Sequence, residues 1–191
     1  MQIEKIDDYD IKIYNDSFKI TKDAILLSDY VINDNIKGGK LLEIGAGSGY
    51  ISIKLCKYVV KVVALEIQKI VSERLKDNVV NNKLNIDVIN QDVNDYSGKF
   101  DYIVSNPPYY KLNSGKYPEN EIKKLSKFEF LLNLDSLVIN TKRLLKENGF
   151  FYFIYPLYRK NELENKIDEK GLKLIDTKEI DSFILVKGTF K

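Results

Sequence analysis

Glu43-Ile44-Gly45-Ala46-Gly47-Ser48-Gly49 sets three glycines directly behind a carboxylate. Glycines at this spacing let a backbone turn sharply and come close to a ligand. The pattern is G-x-G-x-G, not the G-x-G-x-x-G of dinucleotide turns, which aim a helix N-terminus at a pyrophosphate. Glu43 would repel a phosphate, so the loop suits a zwitterionic or cationic ligand. Taken alone, it is equally a glycine-rich turn that binds nothing. Two more acids share the setting. Glu66 comes twenty-one residues after Gly45 and ends the next apolar strand. A carboxylate there can accept both hydroxyls of a ribose. Asp92 ends the strand after that, where an acid can accept from an adenine amino group. Each acid singly also fits an exposed strand end. The three together suit an adenosine-containing ligand without phosphate.

Ser105-Asn106-Pro107-Pro108-Tyr109 follows a fourth strand. Two prolines have fixed φ and no N–H, so they end the strand ladder and hold a rigid turn. Such a turn can point the Asn106 amide oxygen and the Pro107 carbonyl at one spot. Both are acceptors and suit an NH₂ donor. An exocyclic adenine nitrogen has its lone pair drawn into the ring; two acceptors holding its hydrogens favour a more tetrahedral, more nucleophilic nitrogen. Tyr109 offers a flat face for stacking, worth about 1–3 kcal/mol per base. Without the glycine loop, the tetrapeptide would read simply as a stiff turn.

The rest of the composition narrows the chemistry. The chain has no His, one Cys (Cys56) and no Trp. A Ser-His-Asp triad, a Cys-His dyad, an imidazole metal site and an internal disulfide are all excluded. No metal is expected. The 191 residues predict one domain, with 44% hydrophobic residues to build a core. Thirty basic against 28 acidic residues is not the profile of a strongly basic nucleic-acid binder. The single thiol, the charged N-terminus and the lack of any long apolar run predict a cytoplasmic protein with no membrane partner.

Alternating elements must position these groups. Residues 9–20 alternate apolar and polar side chains as a strand or hairpin, with Asn15-Asp16 as the turn. Thr21 is a candidate N-cap for the helix that follows. Residues 1–35 thus form a hairpin and helix extension. From Lys40 the order is strand, turn, helix, repeated: strands at 40–44, 61–67, 85–92, 99–106 and 149–156, with helices at 48–59, 68–84, 133–147 and 159–170. Ile70, Leu75, Val79 and Val80 are read as the apolar side of the second of these helices. The stretch 172–190 reads as two antiparallel strands. The expectation is an α/β, Rossmann-like fold: a mostly parallel sheet, helices on both faces and an antiparallel C-terminal edge. Residues 107–128 show no clear periodic element and are read as a substrate loop.

The glycine loop, Glu66, Asp92 and the tetrapeptide together resemble the class I S-adenosylmethionine-dependent methyltransferases. The resemblance implies that Gly45, Gly47 and Gly49 approach the methionine part of the cofactor, with Glu43 near its amino group. It implies that Glu66 binds the ribose, and that Asp92 with the backbone of Val93 binds the adenine. Within that class, Asn-Pro-Pro-Tyr marks enzymes acting on planar amino or amide nitrogens: adenine-N6 methyltransferases of DNA and RNA, and release-factor glutamine methyltransferases. Asn106, Pro107 and Tyr109 would be the catalytic residues, Asn106 also touching the cofactor. Thr21-Lys22-Asp23-Ala24-Ile25-Leu26-Leu27 and Tyr110-Lys111…Ser114-Gly115…Glu129 resemble the bacterial tRNA1(Val) adenine-N6 methyltransferases. That family often has an Ala-Arg-His-Glu-like stretch where this chain has Leu125-Ser126-Lys127-Phe128-Glu129.

Charge placement supports a local RNA footprint. Residues 107–128 hold five lysines against Glu119 and Glu121, interleaved with Tyr109, Tyr110 and Tyr117. Tyr110, Lys111, Lys116, Lys123 and Lys124 are the expected substrate contacts. A solvated lysine-rich surface would look the same. The sequence thus predicts methyl transfer from S-adenosylmethionine to an adenine N6, in tRNA beside the anticodon, by a monomer. The rivals are glutamine-amide methylation of a protein, adenine methylation of rRNA or DNA, a nicotinamide oxidoreductase and a silent binding module.

Overall fold

A computed structural model describes residues 1–16, 20–112 and 117–191. Two strands, β1 (Gln2–Ile6) and β2 (Tyr9–Ile13), form an antiparallel hairpin, followed by α1 (Lys22–Asn33). The alternating unit then runs β3 (Lys40–Ile44), α2 (Tyr50–Leu55), β4 (Lys61–Leu65), α3 (Lys69–Asn81), β5 (Ile86–Ile89), β6 (Phe100–Ser105). It continues with α4 (Glu121–Lys127), α5 (Leu134–Leu144), β7 (Leu145–Pro156), α6 (Lys160–Glu169), β8 (Leu172–Ile180) and β9 (Phe183–Phe190).

The seven-stranded sheet has the order β5-β4-β3-β6-β7-β9-β8. β3 through β7 pair in parallel, and β9 joins β7 and β8 antiparallel. The predicted architecture is therefore the observed one. Alternation along each strand divides the core. Leu41, Val62 and Tyr152 pack on one face with α1, α2, α3 and the hairpin. Their neighbours Leu42, Val63 and Phe153 pack on the other with α5 and α6. Strands buried on both faces read as unbroken apolar runs, which is why KLLEI and KVVAL lack alternation in sequence.

Four local expectations need correction. The hairpin of β1 and β2 turns at Asp7-Asp8, where Asp7 takes the left-handed φ of 51° that Asp tolerates; Asn15-Asp16 is also a turn, but β2 finds its partner before it, and the arm expected after it falls largely on residues 17–19, outside the described residues. On α3 the buried apolar residues are Val71, Leu75 and Val79, while Ile70 and Val80 are exposed, each one position off the 3.6-residue stripe. Helix α5 ends at Leu144, because Leu145 already pairs with Phe100 as the first residue of β7. The stretch 107–128 does contain an element, α4. Asn120 caps it by accepting from the Lys123 N–H at 2.9 Å. Seven residues are too few for periodicity to register.

The hairpin's free edge is covered by amide side chains rather than by a strand. Asn78 exchanges hydrogen bonds with the Lys12 backbone (3.0 and 3.1 Å), and Asn82 does the same with Asp10 (3.1 and 2.9 Å). This satisfies the outer N–H and C=O groups of β2 and fixes the hairpin to α3. Among the described residues no helix is long and apolar enough to cross a membrane.

Candidate active site

Strand order reverses between β3 and β6, and in open α/β sheets the ligand crevice lies at the carboxyl ends of such strands. A cleft of about 230 Å³ opens there. Its walls include Glu43, Gly45, Gly47, Glu66, Asp92 and Val93, from the ends of β3, β4 and the loop after β5. Asn106, Pro107 and Tyr109 close it from the end of β6. Gly49 does not line it. With φ at 82°, a Cβ on Gly49 would meet a Leu75 methyl at 2.1 Å, so this glycine lets α2 approach α3. Gly49→Ala is expected to destabilise the fold by a few kcal/mol through backbone strain and overpacking, read as a lower midpoint in urea unfolding.

Where the loop's amides go decides what it can hold. Gly45 and Ala46 both donate to the Leu65 carbonyl (2.9 and 3.0 Å), and Gly49 donates to the Ala46 carbonyl. Gly47 donates to Glu66 Oε2 at 2.9 Å. Glu43 accepts from the Ser52 N–H at 2.8 Å and from the Ser52 hydroxyl in α2. A pyrophosphate would need those donors free. A ligand carrying positive charge needs no donors and favours ionisation of the acids beside it.

Both acids are buried, Glu43 at 2% and Glu66 at 5% exposure. Desolvation pushes the Glu43 carboxyl up to about 8, against the bonds from Ser52, and nearby Glu66 adds to the rise. Desolvation also raises Glu66, opposed by bonds from the Gln68, Gly47 and Ile67 backbone. A carboxyl raised on folding stabilises the native state fully below its unfolded value of 4.5 and loses that contribution as pH climbs toward 8. Glu43→Gln keeps an acceptor for Ser52 without titrating. It is expected to match the wild type near pH 5 and melt higher near pH 8, by roughly 5 °C. Circular-dichroism melts across that range check this; parallel curves would overturn it.

The Asp92–Val93 loop is held from behind by α5. Asp92 Oδ1 accepts from the Asn94 N–H and side-chain amide (2.8 and 2.9 Å). Asn94 Oδ1 accepts in turn from Ser136 and Asn140. Arg143 donates to the Val93 carbonyl at 2.7 Å and to the Tyr96 carbonyl at 2.6 Å. One carboxylate oxygen of Asp92 is thus committed to the loop, leaving the other for a ligand.

Asn106 leaves β6 at the cleft wall, and its Oδ1 is buried with no hydrogen-bond donor among the described residues. A buried acceptor left unpaired costs about 1–3 kcal/mol, so a partner is wanted there. Tyr109 packs against Tyr110 (ring centroids 5.1 Å apart) and edge-on to Phe183 (6.3 Å). Its hydroxyl lies 3.4 Å from Asp23 Oδ2, and burial raises its pKa. Helix α4 forms the opposite wall through Ile122, Leu125 and Ser126, and Gln68 bonds across to Ser126 Oγ at 3.1 Å.

The expected substrate contacts among the described residues, Tyr110, Lys111, Lys123 and Lys124, sit outside this cleft. Tyr110 is 38% exposed and packs on Phe128. Lys111 pairs with Glu162 at 3.0 Å, Lys123 donates to the Asn15 carbonyl, and Lys124 lies over the rings of Tyr117 and Phe130. Lys116, with Ser114 and Gly115, lies outside the described residues. Pattern reading missed Asp23 as a wall of the cleft, α4, and the work of Arg143 and Arg159. One signal was available. Only three of the 30 basic residues are arginines, Arg74, Arg143 and Arg159. Each makes several directed bonds: Arg74 grips Asp16 with both terminal nitrogens, Arg143 ties the loop after β5, and Arg159 bonds Tyr109. In a lysine-rich chain, arginine marks where a fork is needed.

The sheet order and the cleft at its switch point are those of a Rossmann-like methyltransferase fold. More specifically, the chain belongs to the methyltransferase small domain family, whose pattern matches residues 21–123. A tRNA1(Val) (adenine(37)-N6)-methyltransferase of Bacteroides thetaiotaomicron is 30% identical over 148 residues, 73% of this chain and 60% of that protein. The chain thus spans less than two thirds of that relative. A Methanocaldococcus jannaschii protein provisionally named a protein N5-glutamine methyltransferase is 28% identical over 184 residues, 90% of this chain and 89% of the relative. A methyltransferase structure from Pyrococcus furiosus shares the fold with a TM-score of 0.72 at 21% identity, over 95% of this chain and 88% of that one.

Proposed function

We propose that this chain transfers a methyl group from S-adenosylmethionine to the exocyclic N6 of an adenine in RNA, in tRNA beside the anticodon. The observation that carries the reading is Asn106 Oδ1, a buried acceptor at the wall of the cleft without a donor among the described residues. An NH₂ group is the donor it suits. The aromatic pair Tyr109–Tyr110 beside it favours a flat base over an aliphatic amide.

Glu66 would accept the ribose hydroxyls, Asp92 with Val93 would hold the adenine, and Gly45 and Gly47 would let the methionine part approach. Glu43, near the amino group, would be drawn toward its ionised form by that positive charge. The bound cofactor supplies an electrophilic methyl on a sulfonium. Asn106 Oδ1 and the Pro107 carbonyl would hold the two hydrogens of the acceptor nitrogen, keep its lone pair out of the ring and support positive charge developing there. Tyr109 would stack on the base. The catalytic contribution is positioning and preorganised acceptors, so neither histidine nor thiolate is required.

A second reading, methylation of a glutamine amide in a protein, is favoured by the Methanocaldococcus relative, which matches over nearly its whole length. A glutamine NH₂ would meet the same acceptors. Transfer of labelled methyl to separate RNA, DNA and protein fractions, with nucleoside mass spectrometry on the first two, divides the readings. N6-methyladenosine in the RNA is expected. Label confined to protein would end the adenine reading.

A further inference from the structure

Arg159 stands at the junction of β7 and α6 and is 3% exposed. Its Nη1 donates to the Tyr109 carbonyl at 2.8 Å and to Glu129 Oε1 at 2.5 Å. Its Nε and Nη2 donate to the two oxygens of Glu162 at 3.2 and 3.0 Å. The guanidinium carbon lies 5.3 Å from the centre of the Tyr155 ring. Tyr109 is the last residue of the Asn-Pro-Pro-Tyr turn, and Glu129 is the first beyond the 107–128 segment. One guanidinium therefore holds both ends of a segment whose described residues, Tyr109 and α4 among them, line the cleft. Main-chain bonds also join the two ends, Tyr110 N–H to the Lys127 carbonyl (3.1 Å) and Glu129 N–H to the Tyr110 carbonyl (2.9 Å).

A purely structural ion pair would need Glu129 and Glu162 but no carbonyl of the turn. The bond to Tyr109 is the part with a bearing on chemistry. The carbonyl of Tyr109 is three residues from Asn106, across two prolines that transmit its position stiffly. A lysine could make one of these contacts at a time; a planar fork makes them together.

We propose that Arg159 is a positioning residue for methyl transfer: through the Tyr109 carbonyl it sets where the Asn106–Tyr109 turn stands over the cleft, and Glu129 orients it. The assignment rests on the reading that Asn106 addresses the acceptor nitrogen. Truncating Arg159 alone strands the buried Glu129 and risks the fold. The test therefore uses Arg159→Lys and the double variant Arg159→Met with Glu129→Met, which removes both charges together. Both variants are expected to melt cooperatively and to bind S-adenosylmethionine within about threefold of the wild type, because the cofactor walls lie on β3, β4 and β5. In both, kcat on RNA falls by roughly 30- to 100-fold, as a misplacement of about 1 Å does, while KM stays within about threefold. Amide exchange at Tyr110 and Glu129 quickens about tenfold or more, with β3 and β6 still protected.

A folded double variant that keeps kcat, or that loses activity only through KM, overturns the proposal. So does unchanged exchange at Tyr110 and Glu129, a readout that needs no acceptor. If the wild type labels protein and not RNA, the adenine reading fails while the same kcat comparison, run on the protein acceptor, still judges Arg159.

Discussion

Asn106→Ala is expected to reduce methyl transfer by about 10²–10³-fold while changing S-adenosylmethionine affinity little, within about threefold. Among the described residues nothing donates to Asn106 Oδ1, a buried acceptor, so removing it takes none of their hydrogen bonds from the scaffold. What it removes is the group proposed to hold one hydrogen of the acceptor nitrogen. That interaction strengthens as the nitrogen becomes tetrahedral and cationic, so the loss falls on kcat and not on KM. Single-turnover transfer and cofactor titration by calorimetry separate the two. Loss of cofactor affinity with transfer otherwise normal would move Asn106 out of the acceptor site.

The second large effect concerns Glu66. Its two oxygens accept from the Gly47 and Gln68 backbone, at 2.9 and 2.8 Å, so it joins the glycine loop to the start of α3. Glu66→Ala is expected to weaken cofactor binding on the order of 10²-fold, because hydrogen bonds to a charged acceptor are worth about 1.5–3 kcal/mol. A looser loop alone would also lower affinity. A cofactor analogue lacking the ribose 2′-hydroxyl separates the causes. The wild type should bind it far more weakly than the parent compound, and the variant should bind the two alike. A variant that still discriminates between them would take the ribose away from Glu66.

Raised carboxyls and free acceptors matter here for one reason. A cleft with two buried, raised acids and with the Gly45, Ala46, Gly47 and Gly49 amides already bonded offers a phosphate few donors. Those committed amides separate this site from the dinucleotide turns that its glycines superficially resemble. Basic residues gather elsewhere: residues 111–191 hold 16 against 12 acids, and 1–110 hold 14 against 16. Several loop lysines already have partners, Lys111 on Glu162 and Lys124 over Tyr117 and Phe130. An RNA would have to share or displace them, and binding should weaken steeply with salt.

The sequence by itself determined the fold class, the strand succession and the part of the cleft wall built at the strand ends, Glu43, Gly45, Glu66, Asp92 and Asn106 among it. Apolar runs such as KLLEI and KVVAL, broken by Gly45 and Glu66, are local signals, because a strand buried on both faces must be apolar throughout. The glycines and prolines carry their backbone preferences with them wherever they stand. Tertiary structure alone decided the rest. It placed Asp23 of α1 near Tyr109, eighty-six residues away, and put α4 across from Glu66 through Gln68 and Ser126. It turned Glu43 onto Ser52, so that an acid expected to face the ligand also caps the helix after its own loop. It brought Arg159 to a carbonyl fifty residues upstream. Contacts across such distances depend on how the strands are ordered in the sheet and which face each helix covers. Residue types report the first neighbour's demands on the backbone; they do not report which distant side chain will arrive to meet them.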